Sequence, residues 1–408
     1  MPSGPPARAG SEAPPRRRRL LVAVAALWLF TVMADQSSLS PLLPLLTTRL
    51  GVDPEAAGFL VTAYALGAAA LQLALGPVAD RRGARPVLLL GGAAFLTGSL
   101  GAAFMPPYAA FLGLRFLAGL GAGAVSLGAV LLVSDLYPYG ERATPMGWAM
   151  TGLLVAPTVG PILAGQLAHQ FGPAAPFALF AALAAVALPI LLAGSRGLGA
   201  PADLGPPAGF VRSYAALLHR APPLGSLLAS ALFSGAVMGI AVNLTWWLQS
   251  RFALSTAQIA SVYAAGGLGA LLGGPWGGRL GDRAGNRRMV GVTSLLFLLT
   301  LAALVPLRHA LWANVTAAFA AYLWESLRRG PFQSLMTGIV ERSQVASFVA
   351  LKNSAAQLGI ALSVPLMTGL LRSQGDFAPV CLAGAALTGF GLCALYAWVP
   401  EPSTGEAA

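Results

Sequence analysis

Five ionisable side chains stand inside stretches of this sequence that are otherwise nearly free of charge: Asp35, Arg115, Glu325, Arg328 and Arg329. Charge in hydrocarbon is costly, and where a chain keeps it the reason is usually ion or substrate handling. A carboxylate and an arginine that can approach and separate make a proton carrier, because the nearby cation lowers the carboxyl's proton affinity and its departure restores it. Asp35 follows Leu20, the start of its apolar run, by fifteen residues, or about 22 Å of helix. Arg115 follows Tyr108 by seven residues, roughly 10 Å from the opposite boundary if its helix runs the other way. The two depths are alike. Further on, Trp324-Glu325-Ser326-Leu327-Arg328-Arg329 sets Glu325 three and four residues from two arginines, the spacing of a self-neutralising helical pair. One arginine is left over, to attract an anionic substrate or to reach the headgroups.

The elements that must hold these groups are helices in lipid. Of 408 residues, 56% are hydrophobic and only 10% charged, and the mean hydropathy is +0.72. Runs near twenty residues, such as Val87 to Met105 and Ala174 to Ala193, recur and suffice to cross about 30 Å of hydrocarbon. Twelve are read, giving an all-α polytopic membrane protein. The formal charge of +11 does not point to nucleic acid, because its placement follows topology. With a cytosolic N-terminus, inner segments hold 18 of the 25 basic residues and outer loops only Arg49, Arg251, Arg308 and Arg372. This bias puts both termini in the cytosol. The stretch from Leu20 to Leu46 is too long for a secretory leader and serves as the first anchor. Cys381 and Cys393, twelve apart on one helix, cannot pair.

Residues 1–19 read as a disordered cytosolic tail, 20–193 and 223–399 as two six-helix halves, 194–222 as a Pro- and Gly-rich cytosolic linker, and 400–408 as a cytosolic tail. The halves repeat. Gly76-Pro77-Val78-Ala79-Asp80-Arg81-Arg82-Gly83-Ala84-Arg85 aligns with the segment from Gly278, matching Asp80 to Asp282, Arg81 to Arg283, Gly83 to Gly285 and Arg85 to Arg287. Repeats about an axis along the membrane normal are a recurrent transporter architecture. The loop resembles the signature of the major facilitator superfamily, and it occurs at equivalent places in both halves. Within that superfamily the chain resembles the twelve-helix drug:proton antiporters. Pro157, Gly160, Pro161 and Gly165 follow their fifth-helix antiporter motif, with Ala156 and Ala164 replacing two of its glycines. Arg115, Gly119 and Gly121 resemble the motif Arg-x-x-Gln-Gly-x-Gly, with Ala118 in place of Gln.

The resemblance implies two pseudo-symmetric six-helix halves and a loop cluster (Gly76, Asp80, Arg81, Gly83 and Arg85, with Gly278, Asp282, Arg283, Gly285 and Arg287) that latches the cytosolic side in one conformation. Asp80 is suited to accept hydrogen bonds at a helix N-terminus, with the loop arginines reaching acids such as Asp135 or Glu141. The resemblance further implies that the first and fourth helices line a central cavity, which brings Asp35 and Arg115 within reach for proton coupling, with Glu325 as the next candidate. Gln36, Ser37, Asn243, Trp246, Trp247, Trp324, Arg328 and Arg329 are substrate-binding candidates. The function read is proton-coupled efflux of small amphipathic compounds by alternating access. Uptake of a small organic anion with protons is the alternative, favoured by the surplus arginine. A membrane-embedded enzyme is a remote alternative, because His169, His219 and His309 all fall at loop edges. No phosphate-binding Gly-Lys-Ser/Thr loop is present, and no cofactor or metal is expected. The expected partners are a small-molecule substrate, protons and the lipid bilayer, not nucleic acid. The expected form is a multi-pass monomer in a bacterial cytoplasmic membrane.

Overall fold

In hydrocarbon every backbone N–H and C=O must be satisfied within its own segment, so long apolar runs become helices. The computed structural model describes residues 14–82, 84–137, 143–195, 214, 217–340 and 345–401. These form twelve long helices: α1 (Pro15–Leu50), α2 (Pro54–Arg82), α3 (Ala84–Ala103), α4 (Tyr108–Leu136), α5 (Ala143–Phe171), α6 (Ala175–Gly194), α7 (Ala221–Phe252), α8 (Thr256–Ala284), α9 (Asn286–Leu307), α10 (Leu311–Gly338), α11 (Val345–Gln374) and α12 (Ala378–Trp398). Ten are long and apolar enough on their own to cross a membrane. The other two are α8, with eight glycines, and α10, with Glu325, Arg328 and Arg329. Each of these leans on the other along its length.

The pairing pattern carries the repeat. Helix α1 packs on α5, α2 on α4, and α3 on both α4 and α6. Adding six to each number gives α7 on α11, α8 on α10, and α9 on both α10 and α12, which also pack. The halves join where α2 meets α11 and α5 meets α8, again related by the same shift.

Small residues set the closest approaches. A Cβ at Gly269, Gly273 or Gly277 of α8 would run into the carbonyl oxygens of Phe319, Leu323 and Leu327 on α10. Both series advance by four residues, so one glycine stripe lies along one row of backbone. The first half does the same with Gly119 and Gly123 of α4 against Tyr64 and Ala68 of α2. Such stripes let backbones touch where no hydrophobic force presses helices together.

Some ends depart from the sequence reading. Helix α1 starts at Pro15, so Arg16 to Arg19 form its first turn and not a tail. The reason is local: Pro suits the first helical positions, and Arg17 Nε donates to the Gly194 carbonyl at 2.7 Å, capping the end of α6. Helix α7 starts at Ala221, two residues before the expected boundary. Residues 1–13 and 402–408, and most of the linker (196–213, 215 and 216), lie outside the described residues.

The face opposite the start of α1 and the end of α12 is shut. Leu39, Leu42, Leu43 and Leu46 of α1, with Leu60 and Val61 of α2, form one apolar cluster with Val242 and Trp246 of α7 and Ile360 and Val364 of α11. Thr62 Oγ1 donates to Ala361 O at 3.2 Å across the seam, and past mid-span toward the other face, nine residues into α11, Ser354 Oγ donates to Ala69 O at 3.1 Å. At the rim Arg372 Nη1 reaches Asp53 Oδ2 at 3.2 Å and Glu55 Oε2 at 3.1 Å, exposed pairs that add little. On the same face Arg308 grips Asp376 through two hydrogen bonds of 2.5 and 2.6 Å, tying α9 to α12. Those bonds hold the Asp376 carboxyl down to about 2.

The glycine stripe is directly testable. Gly119→Val should lower the apparent melting temperature in detergent, consistent with overpacking of about 1 to 3 kcal/mol or more. Gly113→Val on the same helix, with open space around it, should leave that temperature nearly unchanged. Equal effects would deny the backbone contact its role.

Candidate functional site

Asp35 on α1 and Arg115 on α4 meet. Arg115 Nη1 donates to Oδ1 at 3.0 Å and to Oδ2 at 2.9 Å, and the side chains are 1% and 0% exposed. Tyr64 of α2 lies under the guanidinium, with its ring centroid 4.6 Å from the carbon, and Phe177 near the start of α6 covers it at 5.7 Å. The Tyr64 hydroxyl is held by the Val32 carbonyl at 2.9 Å. Every one of these residues belongs to the first half. The pair therefore does not line an open cavity, as the resemblance implied, because two aromatic rings and the α1–α2–α4 packing seal it in. The seal is incomplete in one respect: Arg115 Nε and Nη2 and the nearby helix-mate Ser38 Oγ are buried without partners.

The next residues on α1 turn elsewhere. Gln36 faces the seam and donates from Nε2 to Gln357 Oε1 of α11 at 3.3 Å. Ser37 folds back on the Ala34 carbonyl at 3.2 Å. Ala34 itself is the contact for Gly160 of α5, where an added Cβ would come within 2.9 Å of its Cα and Cβ. Five residues along, Gly165 meets Ala260 of α8, and Gly267 of α8 meets Thr158. The stretch holding Pro157, Gly160, Pro161 and Gly165 is thus one unbroken helix wedged between α1 and the other half. Ala156 and Ala164 are fully buried and still small enough for that wedge.

On α10 the two arginines divide. Arg329 Nε takes Glu325 Oε1 at 2.8 Å, with Arg329 47% exposed and Glu325 13%. Arg328 turns away, stacks its guanidinium over Phe233 at 4.1 Å and donates to Ser294 Oγ at 3.3 Å. Glu325 therefore forms its salt bridge with Arg329 and reaches Arg328 only electrostatically, through space. Trp324 donates to Thr300 Oγ1 at 3.1 Å inside the second half. Asn243 binds the Gly239 carbonyl at 2.8 Å and leaves Oδ1 unpartnered. Trp246 sits in the seam cluster with Nε1 unpartnered. Trp247 is turned from the seam, donating to Arg308 O at 3.1 Å and stacking on Phe377 at 5.9 Å.

One partly buried cation escaped the search for intramembrane charge. Lys352, seven residues into α11, donates to Gln333 Oε1 of α10. Placed by sequence with the cytosolic anchors, it was still visible in another way: it is the chain's single lysine among 25 basic residues.

The profile described as Major Facilitator Superfamily matches residues 25–224 and 226–408. The chain belongs to the Major Facilitator Superfamily. It is 28% identical over 366 residues to the uncharacterized MFS-type transporter YceJ of Bacillus subtilis, covering 89% of this chain and 90% of that one. Over 236 residues it is 28% identical to the multidrug efflux pump LfrA of Mycolicibacterium smegmatis, 56% of this chain and 46% of that protein. Over 140 residues it is 35% identical to a chloramphenicol resistance protein of Pseudomonas aeruginosa, 34% of this chain and 33% of that one.

The superfamily loops can be described in part. Gly76, Asp80 and Arg81 fall in the last turns of α2, but the side chains of Asp80 and Arg81, and Gly83 altogether, lie outside the described residues, as does the Asp282 side chain. A carboxylate does sit at each following helix start. Asp135 Oδ2 accepts from Ala84 N of α3 at 3.3 Å, and Glu401 accepts from Asn286 N and Arg287 N of α9, both at 2.9 Å. Arg85, partly buried on α3, has no partner for Nε, while Arg287 donates to Tyr396 O at 2.6 Å and covers its ring. Gly278 lies against Gly330, Arg283 is exposed, and Gly285 takes φ +89° to turn into α9.

The superfamily repeat also isolates the ion pair. The left-handed C-caps Gly51 and Ala253 set α1 and α7 in register, and the starts Tyr108 and Leu311 set α4 and α10. In that register Asp35 corresponds to Val237 and Arg115 to Ala318, and both of these line an apolar cavity between α7, α9 and α10. Charge in one half stands where the other half has a void.

A buried ion pair stripped of one member leaves the other uncompensated, at a cost of about 3 to 5 kcal/mol. Arg115→Met should therefore destabilise strongly, and adding Asp35→Leu should recover much of the loss. Thermal unfolding of the single and double variants in detergent checks this. Additive losses would mean the pair is not energetically coupled.

Proposed function

We propose that this transporter is a proton-coupled exporter of small amphipathic compounds, a monomer in the cytoplasmic membrane with both termini in the cytosol, and that its shut face is the extracellular one. The observation that carries the reading is the Asp35–Arg115 pair, a carboxylate buried with a single cationic partner beside the seam between the halves. In this reading Arg115, donating to both oxygens of Asp35, compensates the carboxylate's charge. When the halves rock and Arg115 withdraws, burial favours the neutral acid, and the carboxylate takes a proton from the open side. Return of Arg115 expels that proton to the other side. Because Gly160 of α5 lies against Ala34, the residue before Asp35, movement of α5 at the seam reaches the pair directly. Similarity to the multidrug efflux pump LfrA supports export of drug-like substrates.

Uptake of an organic anion with protons would use the same fold, with substrate and proton carried in the same direction. The unpaired positive charge of α10 and α11 supports an anionic substrate, while the α5 wedge and the efflux relatives support export.

Asp35→Asn keeps the shape and a hydrogen bond to Arg115 but cannot cycle a proton. In proteoliposomes it should abolish uphill movement of substrate driven by a pH gradient, while binding and downhill exchange persist. A folded Asp35→Asn protein that still concentrates substrate at the wild-type rate would end the coupling role.

A further inference from the structure

The C-terminal half carries more positive charge in the membrane than it neutralises. Glu325, Arg329 and Gln333 recur every fourth residue and form one stripe on α10, faced by Lys352 of α11. Glu325 is consumed by Arg329. Lys352 Nζ meets a neutral amide, forms no salt bridge among the described residues, and lies within electrostatic range of Arg329. Arg328 stands behind them against Phe233, also without a salt bridge among the described residues. Among the described side chains, three cations and one carboxylate leave an excess of two charges, and such charge within a span marks a substrate or ion path.

The position fits a ligand site. Lys352 is seven residues from the start of α11 and Arg329 nine from the end of α10, so both lie about 10 to 14 Å inside the face where α1 starts and α12 ends. That is the side away from the apolar cluster that shuts the seam. Arg329 is half exposed although it lies well within the span, so the stripe opens onto space from which an anion can approach. Apolar surface adjoins it: Phe332, Leu351, Ala355 and, from the other half, Leu73 pack at one margin. The use of lysine is itself informative. Where every other basic position is Arg, this one has a compact ammonium with three rotatable donors, suited to a mobile carboxylate and less suited to a fixed bidentate pair.

We infer that Lys352 and Arg329 form the anion-binding end of the substrate site, and that the transporter's substrates include aromatic compounds bearing a carboxylate. The inference rests on the reading above only in placing the substrate at the seam between the halves. The carboxylate displaces Gln333 from Lys352 and takes a second hydrogen bond from Arg329, while the ring lies on Phe332 and Leu73.

The probe pair is 2-naphthoate and its neutral isostere 2-naphthamide, with the protein in lipid nanodiscs. Because Lys352 is the single lysine, its acetylation by an amine-reactive ester can be followed by mass spectrometry on unmutated protein. Saturating 2-naphthoate should slow that acetylation by about tenfold, and 2-naphthamide should not. By calorimetry Lys352→Gln should weaken 2-naphthoate by about tenfold or more, and Lys352→Arg should retain most of the affinity. Failure of 2-naphthoate to bind, equal binding of acid and amide, or an unprotected Lys352 would overturn the site, and the acetylation result stands even if Lys352→Gln does not fold. If 2-naphthoate binds and protects Lys352 but a pH gradient moves none of it in proteoliposomes, proton-driven export fails and the anion site remains.

Discussion

Helices in lipid are not squeezed together by water, so a bundle of twelve holds only where shapes let backbones touch. That constraint governs this chain more than any single polar contact. Gly269, Gly273 and Gly277 against Phe319, Leu323 and Leu327, and Gly119 and Gly123 against Tyr64 and Ala68, are the places where no side chain separates two helices. They also explain how α8 and α10, the two helices not apolar enough to stand among the ten self-sufficient spans, are kept in the bundle. The same glycines make the interfaces smooth. Both stripes lie within a half, so they hold each six-helix unit together and leave the contact between the halves to α2–α11 and α5–α8.

Against this repeated frame, charge is distributed unequally. The first half holds a closed pair, Asp35 with Arg115, and the second an open stripe, Glu325, Arg329 and Gln333 facing Lys352. Val237 and Ala318 occupy the places that would hold a second ion pair, beside a cavity. Duplication of the scaffold has therefore not produced duplicate chemistry. Under the proposed function the sealed acid takes the proton and the accessible cations take an anionic group.

The fold was legible because lipid leaves so few options: twelve apolar runs could only be helices, and the repeated loop fixed their division into halves. Asp35 and Arg115 could be brought together from depth along their helices, since rise per residue is nearly constant. Rotation about the helix axis was less accessible. It decides that Asp35 faces inward to Tyr64 while Gln36 faces the seam, that Arg328 and Arg329 part company, and that Trp247 turns to Arg308 while Trp246 enters the cluster. The start of α1 was missed because a run of arginines after a proline reads as tail unless one knows that the end of α6 awaits Arg17. Lys352 was missed for a related reason. Nearness to a helix end suggested an anchor, and only its neighbour Gln333 on another helix reveals that it points into the protein.

The two charged sites are joined by a short physical route. Gln36 follows Asp35 on α1 and hydrogen-bonds Gln357, which shares α11 with Lys352 five residues away. Its partner bond crosses the seam and exists only while α1 and α11 stay in contact. Opening of the shut face must break that bond together with the apolar cluster around Leu42, Trp246 and Val364, and it must shift α1, on which Asp35 rides. Coupling between distant sites requires an element with two arrangements that both sites bias. Under the proposed function that element is the α1–α11 contact, with the proposed anion on Lys352 to one side of it and the proposed proton on Asp35 to the other.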